Sequence, residues 1–228
     1  MKVVILAGGK GSRLAEYTSS IPKPMVKIGN TPIISRIINF YSNFGCNDFI
    51  IASGYKSNII KNYFTKNMRK KNIKVIFTGQ NSMTGGRIKR LQKYLKSEKF
   101  FLTYGDGLCD VNINKLLNFH KKNNNIVTLT AVRPPARFGG IKISGTKVKY
   151  FKEKSSLDEG WINGGFFVCE PEIFKFLKND KTILERQPLE DISKLKKLGA
   201  YKHLKNWQCM DTIRDKQLLE NLVKKKIF

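Results

Sequence analysis

Several short stretches of this 228-residue chain carry side chains suited to phosphate chemistry. Gly8-Gly9-Lys10-Gly11-Ser12-Arg13 follows the apolar run at residues 3–6. Glycines leave backbone N–H groups room to approach an anion, and Arg13 adds a fixed, bidentate donor behind them. No third glycine completes G-x-G-x-x-G, and no Gly-Lys-Ser/Thr completes G-x-x-x-x-G-K-[ST]; a dinucleotide turn and a P-loop are thereby excluded. The remaining alternative is a tight strand-to-helix turn with a surface arginine. In Pro22-Lys23-Pro24-Met25 two prolines fix the backbone around one lysine, which aims its ammonium at one place. A bracketed loop with an exposed lysine is the plainer reading. Asp106 stands between Gly105 and Gly107. Of the two histidines, His120 and His203, neither sits in a recognisable motif, and His120 reads as structural or exposed. Cys46, Cys109, Cys169 and Cys209 are scattered, without a CxxC pair or a Cys/His cluster, so neither a disulfide framework nor a structural zinc site is expected.

Elements that alternate in type must bring these stretches together. Apolar runs at 3–6, 48–53, 73–78 and 99–104 read as strands without strict period-two patterning. Helical spacing appears at 32–44, 58–64, 84–95 and 113–122, the first with Pro32 in its opening turn. Such alternation predicts a parallel sheet covered on both faces. In that arrangement ligands sit beyond the carboxyl ends of the strands, where the Gly8 loop falls. The second half is more mixed. Strands are expected at 126–132, 140–143, 147–152 and 165–169, and helices at 171–177, 188–198 and 213–223. No repeat, low-complexity segment or linker divides the chain, which suits one domain with a sizeable core.

The net charge of +26 raises the question of nucleic acid. The basic residues are spread along the whole chain, without a long basic arm or interleaved aromatic platforms, and read as solvated lysine faces. No run approaches the roughly 18 apolar residues of a membrane span. The opening apolar run is too short for a signal peptide. An intact, cytoplasmic protein binding neither nucleic acid nor membrane is expected.

GGKGSRL followed by PKPM resembles the amino-terminal signature of the sugar-1-phosphate nucleotidyltransferases. NSMTGGRIKR (81–90), TYGDG (103–107), RFGGIKI (137–143), FKEK (151–154), INGGFFV (162–168) and WQCMDTIRDK (207–216) follow in that family's order. Together they are most similar to its glucose-1-phosphate cytidylyltransferase branch, over nearly the whole chain. The resemblance implies a three-layer α/β/α, Rossmann-like fold with a mixed, mainly parallel central sheet. It implies one domain, with a nucleotide-binding half at about 1–125 and a sugar-phosphate half at about 126–228.

The reaction it implies joins an NTP to a sugar 1-phosphate, releasing pyrophosphate, with Mg²⁺ on Asp106 and Asp211. An N-terminal helix cap is the other reading of Asp211. Arg13 and Lys23 become catalytic contacts to the triphosphate. The nucleotide falls to Leu6, Ala7, Gly8, Gly9, Gly11, Ser12, Arg13, Lys23, Ser82, Met83, Thr84, Gly85 and Asp106. The acceptor falls to Tyr104, Gly105, Gly139, Glu153, Lys154, Asn163 and Gly164, with Arg87 or Arg90 also reaching a site. CTP and glucose 1-phosphate are favoured. Another nucleotide, or mannose 1-phosphate, heptose 1-phosphate or phosphocholine, stands as the alternative, and a non-catalytic binding protein as one of a different class. A homo-oligomer is also implied. The chain departs from the family pattern in a short stretch at 65–80, an early end after the last helix, and Cys209 where proline is usual.

Overall fold

β1 (Lys2–Ala7) is buried along nearly its whole length. Successive side chains of a strand point to opposite faces, so Val3 and Ile5 enter one core and Val4 and Leu6 another. A strand apolar on both faces belongs mid-sheet, with helices on either side. The computed structural model describes residues 1–67, 71–134, 140–152 and 160–228, and it places β1 so. After β1 come a 3-10 turn (Ser12–Leu14), the one-turn helix α1 (Ala15–Thr18) and a second 3-10 turn (Lys23–Met25). β2 (Lys27–Ile28) and β3 (Thr31–Pro32) then form a minimal hairpin. Pro32 caps α2 (Ile33–Ser42), whose Ile33, Ile34, Ile37, Ile38 and Tyr41 pack into the core that holds Val3 and Ile5.

β4 (Asp48–Ser53), α3 (Ser57–Asn67) and β5 (Asn72–Phe77) add two parallel strands outward from β1. The chain returns through α4 (Thr84–Arg90) and α5 (Gln92–Leu95) to β6 (Phe100–Tyr104), which is parallel to β1 on its other side. This reversal makes β1 and β6 the topological switch point, where a crevice opens beyond their carboxyl ends. The Gly8 loop and Gly105-Asp106 both lie there. The Gly105 N–H donates to the Leu6 carbonyl at 3.0 Å and holds the two strand ends together.

β7 (Gly107–Cys109), α6 (Ile113–Lys122) and β8 (Val127–Val132) follow, then β9 (Gly140–Ser144) and β10 (Lys147–Lys152). β11 (Ile162–Cys169) runs antiparallel between β6 and β8. A 3-10 segment (Pro171–Phe176), α7 (Gln187–Lys194), β12 (Leu198–Lys202), β13 (Trp207–Cys209) and α8 (Ile213–Lys224) complete the chain. The main sheet has the order β12-β8-β11-β6-β1-β4-β5. Among the described residues only β11 runs against the others. The three-layer architecture with a mixed, mainly parallel sheet is as expected. No helix among the described residues is long and apolar enough to cross a membrane.

The elements differ from expectation in several places, and the short strands β2, β3, β7, β12 and β13 have no counterpart among the expected ones. The helix expected at 84–95 breaks at Leu91 (φ −91°, ψ 0°), giving α4 and α5. The segment at 171–177 winds as 3-10 rather than α. The helix expected to reach 198 stops at Lys194. Lys196 takes a left-handed φ of 57°, and Leu198 opens the edge strand β12 beside β8. β9 and β10 pair only with each other among the described residues.

Candidate functional site

The crevice is a cleft of about 1010 Å³. Its first wall is the turn after β1, where Leu6, Ala7, Gly8, Gly9, Gly11 and Arg13 line the space. Gly11 has a left-handed φ of 67°, which folds the chain into the 3-10 turn and buries Leu14. Ser12, expected among the nucleotide contacts, opens that turn and does not line the cleft.

The second wall carries Ser82, Met83 and Thr84, just where α4 begins. Gly85 does not reach the cleft, because it packs against the backbone of Thr182. Arg87 and Arg90 now separate. The Arg87 guanidinium is buried and donates to the carbonyl oxygens of Gly8 (2.9 Å), Ser53 (3.3 Å), Gly79 (2.7 Å) and Gln80 (3.4 Å), and to Thr78 Oγ1 (3.0 Å). It braces the first wall from beneath and also lines the cleft, with both Nη groups donating to protein acceptors. A Cβ on Gly8 would meet its Nη1 at 2.1 Å, which explains the glycine there. Arg90 lies outside the cleft, half-exposed and paired with Asp180.

The floor comes from Tyr104, Gly105 and Asp106 at the end of β6, and from Asn163 on β11. Gly164 sits behind this surface, against Val132, and its carbonyl accepts from Trp207 Nε1 at 2.7 Å. Asp211 arrives by a route that no periodicity signalled. β13 pairs with β7, and the Met210 N–H donates to the Asp106 carbonyl at 2.8 Å, which sets the two aspartates side by side. Asp211 is not the cap of α8: Thr212 caps it, in a capping box with Asp215. Its carboxylate turns into the cleft instead. Gly139, Glu153 and Lys154 lie outside the described residues.

Lys23 occupies the centre. Its Nζ lies 2.6 Å from Asp106 Oδ2 and 2.7 Å from Asp211 Oδ1. Arg13 Nη1 reaches Asp211 Oδ2 at 2.8 Å. Lys23 is only 9% exposed, which overturns the reading of it as a loop lysine facing water. Burial alone would lower its pKa; the charge and hydrogen bond of Asp106, with Asp211 behind them, outweigh that and hold it above the ordinary lysine range. The Cys209 thiol, beside Asp211, is pushed up to about 12 by burial and then by the Asp211 and Asp106 charges, so it stays protonated.

The ammonium between two carboxylates marks where a positive charge is favoured. Two hard oxygen donors open to the cleft fit a divalent ion such as Mg²⁺, which keeps waters and phosphate oxygens in its other positions. The cleft also has lining that the motifs did not single out: Pro24, Trp207, Gln208 and Arg214. All but Pro24 come from β13 and α8, whose stretch WQCMDTIRDK was visible in the sequence without its orientation.

The nucleotidyl transferase family profile matches residues 2–210. A glucose-1-phosphate cytidylyltransferase of Salmonella typhi is 43% identical over 248 aligned positions, covering 99% of this chain and 96% of that protein. That alignment is longer than this chain, so the relative has residues that this chain lacks. A D-glycero-alpha-D-manno-heptose 1-phosphate guanylyltransferase of Campylobacter jejuni is 33% identical, covering 86% of this chain and 88% of that protein. The solved structure of HddC from Yersinia pseudotuberculosis complexed with GMP-PN superposes with a TM-score of 0.75 at 25% identity, covering 97% of this chain and 99% of the other.

Proposed function

This chain belongs to the nucleotidyl transferase family, and from that premise we propose that it joins CTP and glucose 1-phosphate into CDP-glucose, releasing pyrophosphate. It is a sugar-1-phosphate nucleotidyltransferase, similar over nearly its whole length to glucose-1-phosphate cytidylyltransferases. The observation that carries the reading is Lys23, buried between Asp106 and Asp211 beneath the Gly8–Arg13 turn.

In this reading the turn after β1 and the stretch before α4 receive the nucleotide, within residues 1–125. Residues 126–228 supply most of the acceptor's surroundings. An oxygen of the sugar phosphate attacks the α-phosphorus, a new P–O bond forms, and the bond to the bridging oxygen breaks to release pyrophosphate. The attacking oxygen is already anionic, so no general base is needed, and no histidine lines the cleft among the described residues. A Mg²⁺ ion held by Asp106 and Asp211 would neutralise charge on the nucleotide's phosphates. Arg13, exposed at the mouth, is placed to follow the departing pyrophosphate. Lys23 holds positive charge beside the transferred phosphate and orients both aspartates. Glu153 and Lys154 are assigned to the acceptor by family resemblance. A homo-oligomer, and a cytoplasmic role in building polysaccharide, complete the reading.

Pyrophosphate release, measured across a matrix of nucleotides and phosphorylated acceptors with Mg²⁺, tests it. CTP with glucose 1-phosphate gives the highest kcat/KM. A preference for GTP with a heptose or mannose 1-phosphate would move the substrate assignment to that branch and leave the reaction type standing. Binding of nucleotide without turnover on any pair would reduce the protein to a non-catalytic binder. Light scattering reads the oligomeric state.

A further inference from the structure

Glu185 belongs to no motif, yet its carboxylate ties two walls of the cleft together. Tyr104, on the floor, donates its hydroxyl to Glu185 Oε1 at 2.5 Å. Thr84, on the nucleotide wall, donates its hydroxyl to Glu185 Oε2 at 2.6 Å. No lysine or arginine pairs with this carboxylate among the described residues, although the chain has 43 of them. The segment that bears Glu185 is itself held along the start of α4. Met83 N–H donates to the Asp180 carbonyl (2.8 Å), Gly86 N–H to that of Thr182 (3.1 Å), and Leu184 N–H to Thr84 Oγ1 (2.9 Å). Leu184 is fully buried in the core, so the carboxylate is presented from a fixed base.

The hydrogen bonds of this network run toward Glu185. The Gly165 N–H donates to Asn163 Oδ1 at 2.9 Å, which leaves the Asn163 amide nitrogen to face the Tyr104 oxygen at 3.2 Å. The Tyr104 oxygen therefore accepts from Asn163 and donates its own hydrogen to Glu185. On the other side Thr84 Oγ1 accepts from the Leu184 N–H and donates its own hydrogen to Glu185. Glu185 thus accepts one hydroxyl at each oxygen.

We infer that Glu185 is a positioning residue for the acceptor sugar: it fixes the Tyr104 hydroxyl and, through it, the Asn163 side chain assigned to the sugar hydroxyls. The inference rests on the proposed reaction, in which Tyr104 and Asn163 line the acceptor's end of the cleft. It predicts that the acceptor's hydroxyls meet groups already oriented by Glu185; Thr84, on the nucleotide wall, keeps the Leu184 N–H when Glu185 is altered, so the larger effect falls on acceptor binding.

Glu185→Gln tests this with almost no change of shape, because a glutamine amide puts a donor where one of the two hydroxyls already donates. The KM for glucose 1-phosphate rises about tenfold, several-fold more than the KM for CTP, while the melting temperature stays near wild type. Tyr104→Phe gives the same split, and the double variant adds little to either single one, as expected of partners in one network. Titrating glucose 1-phosphate against intrinsic tryptophan fluorescence, with Trp207 in the cleft wall, gives the same loss of affinity without turnover. An unchanged acceptor KM and acceptor affinity would overturn the inference. So would a parallel rise in both KM values with a fall in melting temperature, since that is a merely structural effect. If wild-type protein binds the sugar phosphate but turns over no pair, the proposed reaction fails, and the fluorescence titration of Glu185→Gln still decides the positioning role.

Discussion

Two side chains of one sign class have opposite fates in this cleft. Lys23 is buried because two carboxylates compensate its desolvation, whereas Arg87 is buried because backbone carbonyls do so. Both line the cleft, but the first is bonded to carboxylates that open into it and the second to backbone carbonyls beneath its wall, which separates their predicted phenotypes. Asp106→Asn leaves the chain folded and lowers pyrophosphate release by at least about a hundredfold; full activity in that variant would show that the metal had been misplaced. Arg87→Met removes the donor to the Gly79 carbonyl and one donor each from those of Gly8 and Ser53, and costs about 1–3 kcal/mol of stability, read as a lower urea midpoint. Arg90→Ala, removing an exposed partner of Asp180, changes that midpoint little. Residue types, spacing and family resemblance make Arg13, Lys23, Asp106 and Asp211 legible in the sequence. They leave Arg87 and Arg90 undivided, because both sit on one short helix and only packing decides which guanidinium turns inward. Glu185 is invisible there for a related reason: its partners are 81 and 101 residues away in sequence.

The long, strongly apolar elements were the readable ones. β4 and α6 have the bounds that apolar runs and helical spacing suggest, and β1 and α2 differ only at their ends. β7 and β13 have three residues each, too few to show a period, yet their pairing is what brings Asp211 to Asp106. The lysine-rich stretch after α7 continues a helical pattern, and the left-handed Lys196 that ends it has no signature in the residue type. α6 supplies a prediction of its own. His120 is buried in it, with Nδ1 2.9 Å from Thr128 Oγ1 and Nε2 3.1 Å from Glu170 Oε1, which Lys99 also contacts at 2.8 Å. Burial lowers its pKa more than Glu170 raises it. Below the ordinary histidine value of about 6.5 the unfolded chain takes up a proton that the fold resists. Stability is therefore full above that value and is lost as pH falls toward the lower folded pKa. The melting temperature of wild type drops between about pH 7.5 and about pH 5.5 by more than that of His120→Gln; equal drops would remove His120 as a cause.

The whole molecule carries a charge of +26 and takes polyanionic substrates in the proposed reaction. A field of that sign draws nucleotide toward the cleft, and salt screens it over a Debye length of about 10 Å at 0.1 M. The KM for the nucleotide accordingly rises with added NaCl while kcat changes little; a KM indifferent to salt would assign the lysines to solvation alone. The same charge gives a further meaning to the ammonium lodged between Asp106 and Asp211. Catalytic carboxylates set face to face commonly repel, so that neutralising one makes a protein more robust at the expense of its activity. Here the repulsion is cancelled in advance by Lys23, and there is no stored tension to release. Asp106→Asn thus melts at or below the wild-type temperature, and resilience and turnover are not opposed at this point of the chain. A hardier version of the protein has to be sought away from its cleft.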